Sequence, residues 1–166
     1  MACSAADGIN QQLADRLQLS DVQPLRVVAP ANESTTTTAG SGRFGRLSQA
    51  GTLSDVIQRV KSALRISQLQ FVGNLSQPVR TVGVACGAAA EFLRDAKRIG
   101  CDALLTGEAR FHACLEAAAA DIALILPGHF ATERLGAERL AIVLAQSFPK
   151  LSVVASQTET DPVQFA

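Results

Sequence analysis

Tryptophan and tyrosine are absent from this sequence, and aromatic residues make up only 4% of its 166 positions. A core without large rings has to be built from Ala, Leu, Val and Ile, which suits helices packed on a parallel sheet. Net charge is missing as well, because 15 Lys and Arg offset 15 Asp and Glu. The basic residues are scattered, so there is no electrostatic footprint for nucleic acid or an anionic membrane. No apolar run approaches the ~18 residues that span a bilayer. The opening MACSAADGIN has neither a basic n-region nor an apolar h-region, so the expectation is a soluble, cytoplasmic protein. Cys3, Cys86, Cys101 and Cys114 are widely spaced with no CxxC pair, which argues against a disulfide framework or a zinc knuckle. Cys86 closes an apolar run before an expected helix, where a helix N-terminus lowers a thiol pKa. Free cysteine is nonetheless among the most buried residue types, and a buried small residue is the simpler reading.

What is abundant is aliphatic: 48% of the residues are hydrophobic, enough for one substantial core and a single domain over residues 1–166. Ile9, Leu13 and Leu17 recur at four-residue steps, which predicts an amphipathic helix within residues 8–19. LRVVAP, residues 25–30, reads as a strand. The polar ANESTTTTAGSGRFGRLSQAG that follows reads as an irregular loop or a twisted edge segment. Thr52 is a candidate N-cap for LSDVIQRVKSALR, with Leu53, Val56, Ile57, Val60 and Leu64 on one face. Beyond it, apolar runs alternate with helical patterns: LQFVG; VRTVGVAC then AAAEFLRDAKRIG; ALLTG then EARFHACLEAAAA; IALILPG then ATERLGAERLAIVLAQSF; and LSVVA. That alternation implies an α/β fold, a mostly parallel or mixed sheet covered by helices.

Histidine is scarce, with His112 and His129 the only two. Each has a carboxylate four positions away: Glu108 before His112 and Glu133 after His129. On a helix that spacing puts both groups on one face, and imidazole plus carboxylate suits zinc, iron or manganese. The competing reading makes Glu133 a first-turn acid stabilised by the helix dipole and His129 a polar turn residue. Against it stands placement: LLTGEARFH and LILPGHFATE each run from a short strand through Gly into a helix. Both deliver polar side chains to the carboxyl edge of a parallel sheet, where ligands bind. Gly40, Gly42 and Gly45 spell GxGxxG, but no apolar strand precedes them and no helix opens within them, so a dinucleotide fingerprint is disfavoured. A turn that brings Arg43 near an anion is the remaining use of that loop. VGVACGAAAEFL has the strand, Gly87, helix form of an anion-binding helix start, a form common to tight turns in α/β proteins.

Taken in order, DGINQQLADRL, GSGRFGRL, VGVACGAAAEFL, LLTGEARFH, LPGHFATER and ETDPVQF resemble one family, the NIF-three-like dinuclear metal-centre proteins. Its members are often called GTP cyclohydrolase I type 2 homologues. The resemblance implies a ring-shaped homohexamer with two divalent metal ions per subunit facing an interior cavity, and a metal-dependent hydrolase activity. It implies that His129 and Glu133 are metal ligands, and that Glu108 and His112 line the same pocket in ligand-orienting or proton-transfer roles. The family's further ligands, histidines and an aspartate, lie before the helix that DGIN opens. Cys3 falls at the aspartate's position, so the chain is expected to be a C-terminal portion with an incomplete site and exposed apolar surface. The alternative is a non-catalytic scaffold that works by assembling through its sheet edges.

Overall fold

Two four-residue strands, ALLT and ALIL, are buried along their whole length and sit at the middle of the molecule. Strands with both faces covered read as continuous apolar runs rather than alternating ones. The computed structural model describes residues 8–27 and 40–164. Its elements are α1 (Ile9–Arg16), β1 (Leu19–Gln23), β2 (Arg26–Val27), β3 (Gly40–Ser41), β4 (Arg43–Thr52), α2 (Leu53–Leu64), β5 (Gln70–Val72) and β6 (Pro78–Ala85). A 3-10 turn (Ala90–Phe92) follows, then α3 (Leu93–Ile99), β7 (Ala103–Thr106), α4 (Phe111–Ala119), β8 (Ala123–Leu126) and α5 (His129–Ser147).

Six strands form one sheet in the order β1-β4-β6-β7-β8-β5. Only the pairs β6 with β7 and β7 with β8 are parallel; the other three are antiparallel. The sheet is therefore mixed, with its parallel part where the crossover helices α3 and α4 return the chain. Residue parity sorts the two faces. Ala103, Leu105, Ala123 and Ile125 pack with residues of α1, α2 and α5, whereas Leu104, Leu124 and Leu126 pack with Leu93 and Ala96 of α3 and Ala117 of α4. Helices thus cover both faces of the sheet.

The α2 helix starts where the sequence places it. Thr52 Oγ1 accepts from Asp55 N–H at 3.3 Å, and Asp55 Oδ2 accepts from Thr52 N–H at 2.8 Å, a reciprocal capping box. Leu53, Val56, Ile57 and Val60 are buried as the periodicity predicts. The first helix ends at Arg16, and Leu19 opens β1 instead of closing the helix. Within LRVVAP the described residues 25–27 hold the two-residue β2, and residues 28–30 lie outside the described ones. LSVVA, residues 151–155, forms no strand, and Leu151 and Val154 stay exposed. A short apolar run by itself does not distinguish a strand from an irregular segment.

The largest correction concerns the polar stretch, whose second half is the ten-residue β4, lying between β1 and β6 rather than at an edge. Its glycines serve packing. A Cβ on Gly45 would fall 2.7 Å from the Ser20 carbonyl oxygen and 2.9 Å from Leu19 Cβ, so the crossing with β1 leaves no room for a side chain. Arg43, expected near an anion, has backbone and amide oxygens among its partners. Its side chain is buried, with Nη1 donating to the carbonyls of Gly40 at 2.7 Å and Gly42 at 2.8 Å, and Nε donating to Gln11 Oε1 at 3.1 Å. Burial lowers its pKa from the ordinary guanidinium value. Arg43 ties α1 to the β3–β4 turn. Among the described residues no helix is long and apolar enough to cross a membrane.

Candidate metal and active site

The three parallel strands end side by side, and the residues just past those ends build the site. After β6 comes Cys86 and then Gly87, at φ +72, a conformation that favours glycine. After β7 come Gly107 and Glu108; after β8 come Pro127, Gly128 and His129, which opens α5. The loops are laced together. Gly128 N–H donates to the Gly107 carbonyl at 2.9 Å, and Glu108 N–H to the Gly87 carbonyl at 3.3 Å. Asn10 of α1 accepts from Cys86 N–H at 2.8 Å.

This lacing brings three of the four expected residues together. Glu108 Oε1 lies 3.0 Å from His129 Nδ1, and Glu133 Oε2 lies 3.2 Å from His129 Nε2. His129 and Glu133 share one face of α5, as their spacing predicts. Glu108 and His112 do not share a helix face: α4 starts only at Phe111 with Arg110 as its N-cap. Glu108 is pinned to the Gly87 turn by its own N–H and reaches His129 across the strand ends, a contact 21 positions apart that spacing along one helix does not reveal. His112 stands apart from the trio. It lines a neighbouring cleft of about 810 Å³ with Glu91, Arg94, Glu108, Arg110 and Glu116, and no hydrogen bond or ion pair joins it to His129 or Glu133 among the described residues. Cys3 lies outside the described residues. Cys86 is buried as expected, and burial followed by the Asp102 charge pushes the equally buried Cys101 thiol up to about 12.

A carboxylate beside each nitrogen of the imidazole favours its protonated form. The hydrogen bond to Glu108 raises the His129 pKa above its ordinary value, and the Glu133 and Glu108 charges reinforce it against partial desolvation. Because the folded-state value is raised, the contribution to stability is complete below the unfolded-state value near ~6.5 and is lost as pH rises through the folded-state value. The side chains are about half exposed, so screening keeps the effect small. Urea midpoints at about pH 5 and about pH 8 should differ less for Glu108→Gln than for the unsubstituted chain.

His129 and Glu133 also end a second cleft of about 420 Å³ between α5 and the C-terminal segment, with Glu138, Glu159 and Asp161 against Arg134 on its walls. The excess of carboxylates favours cations. His129 Nε2 and Glu133 supply an imidazole nitrogen and a carboxylate oxygen, a donor set that fits zinc, iron or manganese. Gly87 leaves them room: a Cβ there would lie 2.5 Å from Glu133 Oε1 and 3.4 Å from His129 Nε2. The pair is open-sided, since among the described residues no group of three or more His, Cys, Asp or Glu is arranged to hold an ion.

Comparison with known proteins shows the family and the fold. The family model described as Duf34/NIF3 (NGG1p interacting factor 3) matches residues 3–162. A GTP cyclohydrolase 1 type 2 homolog of Clostridium acetobutylicum is 27% identical over 98% of this chain and 60% of its own length. A protein of the same name from Halalkalibacterium halodurans is 31% identical over 87% of this chain and 38% of its own length. This chain therefore spans less than two thirds of either relative. Among solved structures, the Bacillus cereus protein related to NIF3 has the same fold, with a TM-score of 0.90 at 17% identity over 99% of this chain and 71% of that one.

Proposed function

The chain belongs to the Duf34/NIF3 family, and on that premise we propose that His129 and Glu133 are ligands of a divalent metal ion serving a hydrolase-like reaction. The observation that carries this reading is His129 Nε2 paired with Glu133 over a glycine floor at Gly87, in a cleft rich in carboxylates. An ion held there would polarise a substrate oxygen or lower the pKa of a water. The chain's own groups have separate tasks. Glu108 accepts the Nδ1 proton of His129, which fixes the ring and leaves Nε2 to coordinate. His112 and Arg110 line the adjacent cleft and face whatever occupies it. The name shared by the bacterial relatives points to a guanine nucleotide as substrate, and that assignment rests on the name.

The test is metal content by plasma mass spectrometry on protein purified without chelator or a histidine tag. Bound divalent ion is expected in the unsubstituted chain and is expected to vanish in His129→Ala with the fold retained. A metal-free wild type, or full retention by the variant, would sink the proposal. Because coordination displaces the Nε2 proton, affinity should also rise with pH through the raised pKa of His129.

One observation favours a second role, assembly. The half of α5 beyond Leu135 has no buried residue, and Leu140, Ile142 and Val143 are 57%, 48% and 40% exposed. Leu140 and Val143, three positions apart, are neighbours on the helix surface; exposed apolar surface marks interaction sites, and a homohexamer is the proposed assembly. Light scattering should find oligomers, with Leu140→Glu shifting them toward monomers. A monodisperse wild-type monomer would refute it.

A further inference from the structure

A buried hydroxyl sits where the three parallel strand ends converge. Thr132 lies one turn into α5 and is 0% exposed. Its Oγ1 accepts from Gly87 N–H at 3.2 Å and donates to the His129 carbonyl at 2.9 Å, with the Gly128 carbonyl at 3.2 Å as the other acceptor within reach. The end of β7 closes on the same atom, since a Cβ on Gly107 would lie 2.8 Å from it. From its other side the Gly87 peptide is gripped by Thr106, whose Oγ1 donates to the Gly87 carbonyl at 2.9 Å.

Gly87 is the floor against which His129 Nε2 and Glu133 rest, and His129 is the residue whose carbonyl takes the Thr132 proton. One oxygen therefore joins the floor of the site to the backbone that carries the imidazole. We infer that Thr132 is a positioning residue whose hydroxyl sets the separation between the Gly87 floor and the His129 ring. Through it, Thr132 sets the geometry in which His129 Nε2 and Glu133 meet a divalent ion; this last step rests on the metal-site reading above.

Shape alone does not account for the residue. Valine would fill the same space but neither accept nor donate, orphaning the buried Gly87 N–H and freeing the turn to shift. Serine keeps both hydrogen bonds. Binding constellations tolerate displacements of only about 0.5 Å, and loss of groups that orient metal ligands costs about 10–100-fold in affinity.

The experiment compares wild type, Thr132→Val and Thr132→Ser on the full chain with two readouts. One is affinity for Mn²⁺ alone, from the free-ion electron paramagnetic resonance signal. The other is the His129 ring NMR spectrum of metal-free protein, in a His112→Gln background that leaves a single histidine. The valine variant is expected to weaken Mn²⁺ binding by about 10–100-fold and to move the His129 ring resonances, with serine restoring both. A valine variant that is merely less stable, with unchanged resonances and affinity, overturns the inference. If wild type binds no Mn²⁺, the metal reading falls and the metal-free resonances alone decide the positioning role. Should the valine variant fail to fold, Thr132→Ala, which cannot overpack, is read by the same criteria.

Discussion

Gly87→Ala should abolish most divalent-ion binding while leaving a folded protein, whereas Gly107→Ala, at the end of the next strand, should lose the fold's stability. The contrast comes from what each new methyl meets. At Gly87 it would fall 2.5 Å from Glu133 Oε1, the tip of a flexible, half-exposed side chain that can swing away. Stability drops only by the cost of a left-handed alanine at φ +72, about 1–2 kcal/mol. The swing takes Glu133 from its place beside His129, so a tenfold or greater loss of affinity is expected, in line with about 10–100-fold for misplaced ligand geometry. At Gly107 the methyl would fall 2.9 Å from the Gly87 carbonyl oxygen and 3.0 Å from His129 Cα. These are backbone atoms of the Gly87 turn and of the first residue of α5 and cannot move independently, so overpacking of about 3 kcal/mol is expected. Urea denaturation paired with ion titration separates the two outcomes. A Gly87→Ala protein that binds the ion normally would show that Glu133 is not held where the site needs it.

Arg43→Ala should be the most destabilising single change outside the site, by about 5 kcal/mol or more. The substitution opens a cavity at one of the largest fully buried side chains, for which losses of about 2–5 kcal/mol are typical of long apolar residues. It also orphans the Gly40 and Gly42 carbonyls and the Gln11 amide oxygen, which the guanidinium satisfies, at about 1–3 kcal/mol per group left buried and unpaired. Arg43→Met divides the loss: it keeps most of the volume and removes the donors, so it should recover the cavity part alone. Chemical denaturation of both variants checks this. Equal, small losses would mean that the turn relaxes and hydrates, and that Arg43 does not bind α1 to β3 and β4.

The legible parts of this protein were those where local chemistry and tertiary context agree. Thr52 and Asp55 mark a helix start because they satisfy each other's backbone within four residues. ALLT and ALIL declare buried strands because both faces of a central strand meet only apolar neighbours. His129 and Glu133 were legible as a pair because one helix carries both. The motif order also identified the family. Glu108 was placed in the same pocket by the family resemblance and not by spacing, because its contact with His129 is made across two strand ends that only the sheet brings together. Nor did the sequence show that a Gly- and Ser-rich stretch becomes a ten-residue strand. There, low strand propensity is outweighed by pairing with β1 and β6 on either side, and at Gly45 the crossing with β1 is too close for a side chain. The sequence by itself determined the Thr52 cap, the buried strands and the one-helix pair His129 and Glu133, since these depend on interactions within a few residues. Tertiary structure alone decided the Glu108–His129 contact, the Thr132 hub and the burial of Arg43, since each depends on the distance between segments that meet only when the sheet is complete.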